Sequence, residues 1–318
     1  VPAKKDKPNE FTITRIYDAP VEAVWDAWAD PKKAEQWWGP RGWWIKSHEK
    51  DLRSGGFWKY TMYGPNGEVF ENYTPYHVVE KYKRLEYDHG AGEGRPPLFS
   101  VVVTFEELKN GKTQMAMTMA LATPEKAAET KKFIRGANGN STWDRLAEFL
   151  DTKHDKFVVN RSFGTPIATM YDMWTKPELL SKWLPPTGFT MEFLKADIRV
   201  GGRSSYKMTN GKDVTMYGSC TYRELSPVTR IAYDQDFRDA NDNISRHPFA
   251  PLWPETMQTT VTFTDEGDGR TRVTVEWVPS EKSAPAEIEE FKKARPGMTM
   301  GWRGSFEKLE EVLGTDSF

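Results

Sequence analysis

Near the start of the chain, Phe11 and Ile13 alternate with Thr12 and Thr14, a two-residue period that predicts a half-buried strand. Beyond Pro20 the period changes. Val21, Val24, Trp25 and Trp28 recur at helical spacing, behind a proline that the first helical turn tolerates. "ADP" then interrupts this helix, because a residue preceding proline leaves the α region, and a short second helix is expected to end at Trp37. Strand-like alternation follows. It groups Trp58, Tyr60 and Met62 on one face, with Trp43 and Ile45 expected to join them. Leu85 and Tyr87 share a face, as do Val101, Val103 and Phe105, and Met115, Met117, Met119 and Leu121. A last helix carries Trp143, Leu146, Phe149 and Leu150.

This pattern occurs twice. Sliding the chain by about 146 positions aligns Phe11–Asp88 with Phe157–Asp234 without a gap, at roughly 19 identities. "DLRSGG" at Asp51 faces "DIRVGG" at Asp197, and "RLEYD" faces "RIAYD". The second copy then carries an extra stretch, roughly Gln235 to Thr260, before Val261 resumes the match at Val103. Its expected inner face includes Phe189, Met191, Phe193, Tyr206, Met208, Tyr233 and Trp277, and its last helix brings Trp302. The order β-α-α-β(several)-α is an α+β pattern, one antiparallel sheet with its helices on a single face. Domains are expected at 1–151 and 152–318, joined by the polar "DTKHDK", and the two are free to pack on each other.

A net charge of −2 gives no electrostatic footprint for nucleic acid. One cysteine excludes an internal disulfide, and no run is long and apolar enough to span a bilayer. The expectation is a cytoplasmic protein without nucleic-acid or membrane partners. Five scattered histidines form no ligand spacing, so neither a metal nor a cofactor is expected. "HGAGEGRPP" lacks the strand–helix setting of a phosphate cradle and reads as a mobile loop. Asp51-x-Arg53 and Asp197-x-Arg199 read as salt-linked turns.

Thirteen tryptophans are the compositional anomaly, four of them within "WWGPRGWW" (Trp37 to Trp44). Trp183 repeats Trp37, so that indole is expected to anchor the second helix. Trp38, Trp43 and Trp44 belong to the first copy alone and are expected at a pocket rim. Methionine specifies a core poorly and adapts to varied apolar partners, so the row Met115, Met117, Met119 makes the first copy the better cavity candidate.

These segments together resemble a family. "APVEAVWDAWADPKKAEQWWGP", "DLRSGG", "RLEYD" and "TWDRLAEFL", with their second-copy partners "TPIATMYDMWTKPELLSKWLPP", "DIRVGG", "RIAYD" and "MGWRGSFEKLEEVL", resemble the Activator of Hsp90 ATPase homologue (AHSA1-like) type of the START-like SRPBCC superfamily. The resemblance implies two tandem helix-grip domains, each a curved antiparallel sheet wrapped around a long C-terminal helix. It also implies a cavity for a hydrophobic ligand, as superfamily members hold lipids or polyketides and some are cyclases or aromatases. It transfers no catalytic set, and nothing in the sequence resembles the N-terminal domain of the Hsp90-stimulating co-chaperone.

The ligand-binding residues expected are Trp43, Trp58, Tyr60, Met62, Tyr87, Phe105, Met115, Met117, Met119 and Trp143 in the first copy. In the second they are Phe189, Tyr206, Met208, Tyr233, Trp277 and Trp302. Acid–base candidates are Tyr60, His77, Tyr87 and Asp88, then Tyr206, Tyr222, Tyr233 and Asp234. Three functions stay open: a binder of a hydrophobic or aromatic small molecule, an enzyme on a polyketide-like or aromatic substrate, and a protein-interaction module with filled interiors.

Overall fold

A computed structural model describes residues 6–90, 96–136, 139–153 and 155–315. The glycine-rich loop (91–95), part of "RGANGN" (137–138) and His154 of the linker lie outside the described residues. Two compact units divide between Thr152 and Lys153.

The first unit runs β1 (Glu10–Tyr17), α1 (Val21–Ala29), α2 (Pro31–Trp37), β2 (Trp44–Lys50), β3 (Phe57–Tyr63), β4 (Val69–Glu80), β5 (Arg84–His89), β6 (Phe99–Leu108), β7 (Lys112–Ala120), α3 (Pro124–Gly136) and α4 (Ser141–Leu150). The second runs β8 (Phe157–Phe163), α5 (Ile167–Thr175), α6 (Pro177–Trp183), β9 (Thr190–Lys195), β10 (Arg203–Thr209), β11 (Thr215–Ser226), β12 (Arg230–Arg238), β13 (Thr256–Gly267), β14 (Arg270–Pro279) and α7 (Pro285–Leu313). Each has a seven-stranded antiparallel sheet, in the orders β1-β7-β6-β5-β4-β3-β2 and β8-β14-β13-β12-β11-β10-β9. The architecture is two tandem helix-grip domains.

The corner between the first two helices of each copy is pinned by one indole. Trp37 is fully buried and donates its N–H to the Ala27 carbonyl at 3.0 Å; Trp183 does the same to Met173 at 3.0 Å. A buried indole needs an acceptor, and the end of the preceding helix supplies one. The "GG" turns also have a physical reason. A Cβ at Gly56 would lie 2.1 Å from the Asp51 carbonyl oxygen, and one at Gly202 would lie 2.3 Å from that of Asp197. Arg53 and Arg199 close these turns on Asp51 and Asp197 at 2.8 and 2.9 Å.

The closing helices differ. In the first unit α3 ends at Gly136 and α4 begins at Ser141. In the second, α7 runs unbroken for 29 residues through Pro296 and Gly297.

"WWGPRGWW" does not form a rim as a group. Trp38 is 7% exposed among other rings, Trp43 stacks on Phe70 at 5.8 Å, and Trp44 lies on the surface against Tyr63 at 4.0 Å. The turn between them is tied to α4: Arg41 pairs with Glu148, and Arg145 donates to the carbonyls of Gly39 and Trp43 at 2.7 and 3.0 Å.

Replacing Trp183 by alanine is expected to cost about 3–5 kcal/mol, the range for truncating a buried aromatic. Trp44→Ala should cost less than about 1 kcal/mol, because its ring already faces water. Urea denaturation of the two variants beside the parent chain measures both.

Candidate functional site

The inner face of the second sheet and the facing side of α7 meet along one edge, Phe306 against Phe163 of β8 at 5.5 Å and Trp302 against Trp277 of β14 at 5.7 Å. Beyond that edge a cavity of about 480 Å³ lies between them. The alternation of β11 and β12 builds one wall, with Met216, Cys220 and Tyr222 on one strand and Ile231, Tyr233, Gln235 and Phe237 on the next. Tyr206 and Met208 come from β10 and Trp277 from β14. The helix contributes Gly297, Gly301, Trp302 and Ser305, and the inserted segment after β12 contributes His247, Ala250 and Trp253. The second copy's extra stretch therefore forms part of the wall.

Local sequence shapes this wall. Gly218 sits opposite Tyr206 across β10 and β11, and a Cβ there would lie 2.5 Å from the Tyr206 hydroxyl oxygen. The phenol occupies the space that a side chain at position 218 would need. Gln235 Nε2 donates to that hydroxyl at 3.2 Å, which leaves the Tyr206 proton and Gln235 Oε1 with unused capacity. The turn at Pro185–Phe189 is held down by Lys308, whose ammonium donates to the carbonyls of Pro185, Pro186 and Phe189 at 2.9, 3.1 and 3.1 Å. Arg145 holds the matching turn of the first unit from a different position on its helix, so the clamp is common to both copies while the residue is not.

Among the described residues, no lysine, arginine, aspartate or glutamate lines the cavity. Burial pushes the Cys220 thiol up to about 12, with Asp236 adding to the shift, and raises Tyr206, Tyr222 and Tyr233 above the usual phenol value. These groups stay protonated at neutral pH. Burial pushes His247 the other way, below its usual imidazole value. Its Nδ1 accepts the Phe249 N–H at 3.1 Å, so the neutral ring carries its proton on Nε2. The wall therefore presents hydrogen-bond donors in an uncharged setting.

The first unit fills the equivalent region with its own rings. Trp38 contacts Tyr60 and Trp143 at 6.4 and 6.1 Å, whereas the matching Tyr206 and Trp302 both face the cavity. Trp38 stands where the second copy has Leu184, and Trp58 where it has the small Ser204. Leu146, fully buried, stands where it has Ser305. Met115, Met117 and Met119 point inward as the alternation requires, and the Tyr87 hydroxyl lies 4.0 Å from the Met117 sulfur.

Of the residues expected to bind ligand, Tyr206, Met208, Tyr233, Trp277 and Trp302 line the cavity. Phe189 is half-buried in the clamped turn. Trp58, Tyr60, Tyr87, Phe105, Met115, Met117, Met119 and Trp143 are buried in the first unit, where Trp43 and Met62 are half-buried. The preference for the first copy rested on its methionines; the cavity described here lies in the second, whose positions matching that row are Val273, Val275 and Trp277. Sequence reasoning missed Gly297 and Ser305. Their signal was small residues at i, i+4 and i+8 within a helical stretch.

The carboxylate candidates lie elsewhere. Asp88 pairs with His77 at 2.9 Å and accepts from Ser100 at 2.7 Å, and Asp234 pairs with Arg223 at 3.0 Å. Neither carboxylate lines the cavity.

A closing helix gripped by a curved antiparallel sheet defines a helix-grip protein. The family described as Activator of Hsp90 ATPase homolog 1-like protein matches residues 18–151 and again 164–314, and the chain belongs to that family. Its two copies are tandem AHSA1-like domains of the SRPBCC superfamily. Among solved structures, a Chromobacterium violaceum protein is 26% identical, covering 51% of this chain and 98% of its own, with a TM-score of 0.39. A Nitrosomonas europaea protein is 23% identical, covering 46% and 96%, at 0.42. The di-domain ARO/CYC BexL of the BE-7585A biosynthetic pathway is 14% identical, covering 95% and 97%, at 0.38. No curated protein matches the chain. No described helix is long and apolar enough to cross a membrane.

Acid should loosen the second unit through His247. Its folded-state pKa lies below 6.5, so the unfolded chain takes up the proton first and stability falls as pH drops below about 6.5. His247→Phe should flatten part of that loss. Unfolding midpoints at pH 7.5 and 5 for variant and parent measure the difference. The comparison cancels the contribution of His89, which burial pushes down to about 4 in the first unit.

Proposed function

We propose that the second unit binds an uncharged, largely aromatic small molecule in its cavity. The observation that carries this reading is a volume of about 480 Å³ bounded by apolar and aromatic side chains with no fixed charge. Such a volume falls within the roughly 300–1,000 Å³ of small-molecule pockets.

Energetics supports occupancy. The cavity is partly open to solvent, so water is its alternative occupant. Water filling it would meet few partners among indole, phenyl and methionine side chains. An aromatic guest replaces those lost contacts, and carbonyl or hydroxyl oxygens on it would accept from Tyr206 and His247 Nε2.

Proton-transfer catalysis fits less well. A general base near neutrality requires a carboxylate or an activated imidazole, whereas the phenols and thiol here are held protonated and His247 Nδ1 is already engaged. The first unit, packed with its own indoles, contributes structure in this reading.

The test is native mass spectrometry of the purified full chain, followed by titration with prodan, an uncharged naphthyl ketone whose emission moves to the blue in apolar surroundings. The expected result is one bound molecule per chain, with affinity roughly five- to tenfold weaker in Tyr206→Phe, the loss of one net hydrogen bond. Absence of any co-purifying or added guest would overturn the reading.

A further inference from the structure

Helix α7 contains three glycines, at positions 297, 301 and 304, and they do not share an explanation. Glycine is the poorest helix former after proline, so each needs a reason to be there. Gly304 has one in packing, because a Cβ there would lie 2.4 Å from Thr187 Oγ1 as the helix passes over the clamped turn. Gly297 and Gly301 have none of this kind. A Cβ at either would meet nothing within 4 Å, and neither has the positive φ that favours glycine. Both face the cavity, one turn apart, with Ser305 one turn further on.

We infer that Gly301, with Gly297 beside the mouth, sets the size of guest the cavity accepts. This rests on the binding reading above and adds which residues measure the guest. The first unit shows the alternative. Thr142, the residue before Trp143, takes the place of Gly301 before Trp302; Leu146 takes that of Ser305; and both are buried. A side chain on this face of the closing helix occupies interior volume, and glycine leaves it free. Because nothing stands within contact distance of either glycine, larger residues enter the open space without displacing the backbone. The wall opposite is fixed by hydrogen-bonded strands, so the depth of the site is set from the helix side.

The experiment replaces Gly301 by Ala, Val and Leu, and Gly297 by Leu, in the full chain. Prodan is titrated by fluorescence, and the single-ring ketone acetophenone by ligand-observed NMR. Gly301→Leu should weaken prodan by ~10-fold or more while acetophenone changes by less than about threefold, since a pocket's methylene-scale steric fit discriminates guests by such factors. Gly301→Val and Gly297→Leu should show the same size selectivity to a smaller degree, and Gly301→Ala should leave both probes nearly unchanged. Melting temperatures at or above that of the parent confirm folded variants, because each replacement raises helix propensity and fills empty space. If Gly301→Ala weakens or slows both probes alike, the glycines serve helix flexibility and the inference fails. It fails equally if folded Gly301→Leu binds prodan as the parent does. A parent chain that takes up neither probe overturns the binding reading itself.

Discussion

The distance between a closing helix and a curved sheet governs this protein. Backbone hydrogen bonds fix the sheet, and clamps from the helix to the turn after the second short helix fix the other wall: Arg145 in one copy, Lys308 in the other. The space between is then not adjustable. It must be occupied by side chains, by water or by a guest, because protein interiors do not tolerate large voids.

The two copies answer that constraint differently on the same frame. The first fills its interior with aromatic rings: Trp28 and Trp143 stack at 5.9 Å, Trp38 meets Trp58 at 5.4 Å, and Trp58 lies 4.2 Å from Tyr60. The second keeps Trp174, Trp302 and Tyr206 at the corresponding places but has Leu184 and Ser204 where the first has Trp38 and Trp58, and Ser305 where it has Leu146. An inserted segment then brings His247 and Trp253 to the wall, with Trp253 seated 5.7 Å from Phe291 of the closing helix. The strand order of the sheet is the same in both.

Much of this was legible in the sequence. The repeat, the paired short helices, the Trp37 and Trp183 anchors and the salt-linked glycine turns all depend on local spacing, which a chain displays directly. The inward direction of Met115, Met117 and Met119 also followed from strand alternation. Which copy holds the open cavity did not follow, because alternation says which way a side chain points and not how far away the opposite wall stands. Trp38 illustrates the difficulty. Beside Trp37 it looked like rim, but the chain's exit from the helix turns its ring into the interior. Likewise Gly301 and Gly304 are indistinguishable in the sequence, while one faces a void and the other a threonine 2.4 Å from where its Cβ would lie.

The central claim is that open space belongs to the second copy, where indoles line it, and that indoles have taken it up in the first. The indole N–H resonances of the thirteen tryptophans, followed by NMR while prodan is added, test it most directly. The account expects the signals of Trp253, Trp277 and Trp302 to move with saturation while those of Trp37, Trp38 and Trp58 stay still. Movement confined to the first-unit indoles, with the second-unit signals unchanged, would contradict it.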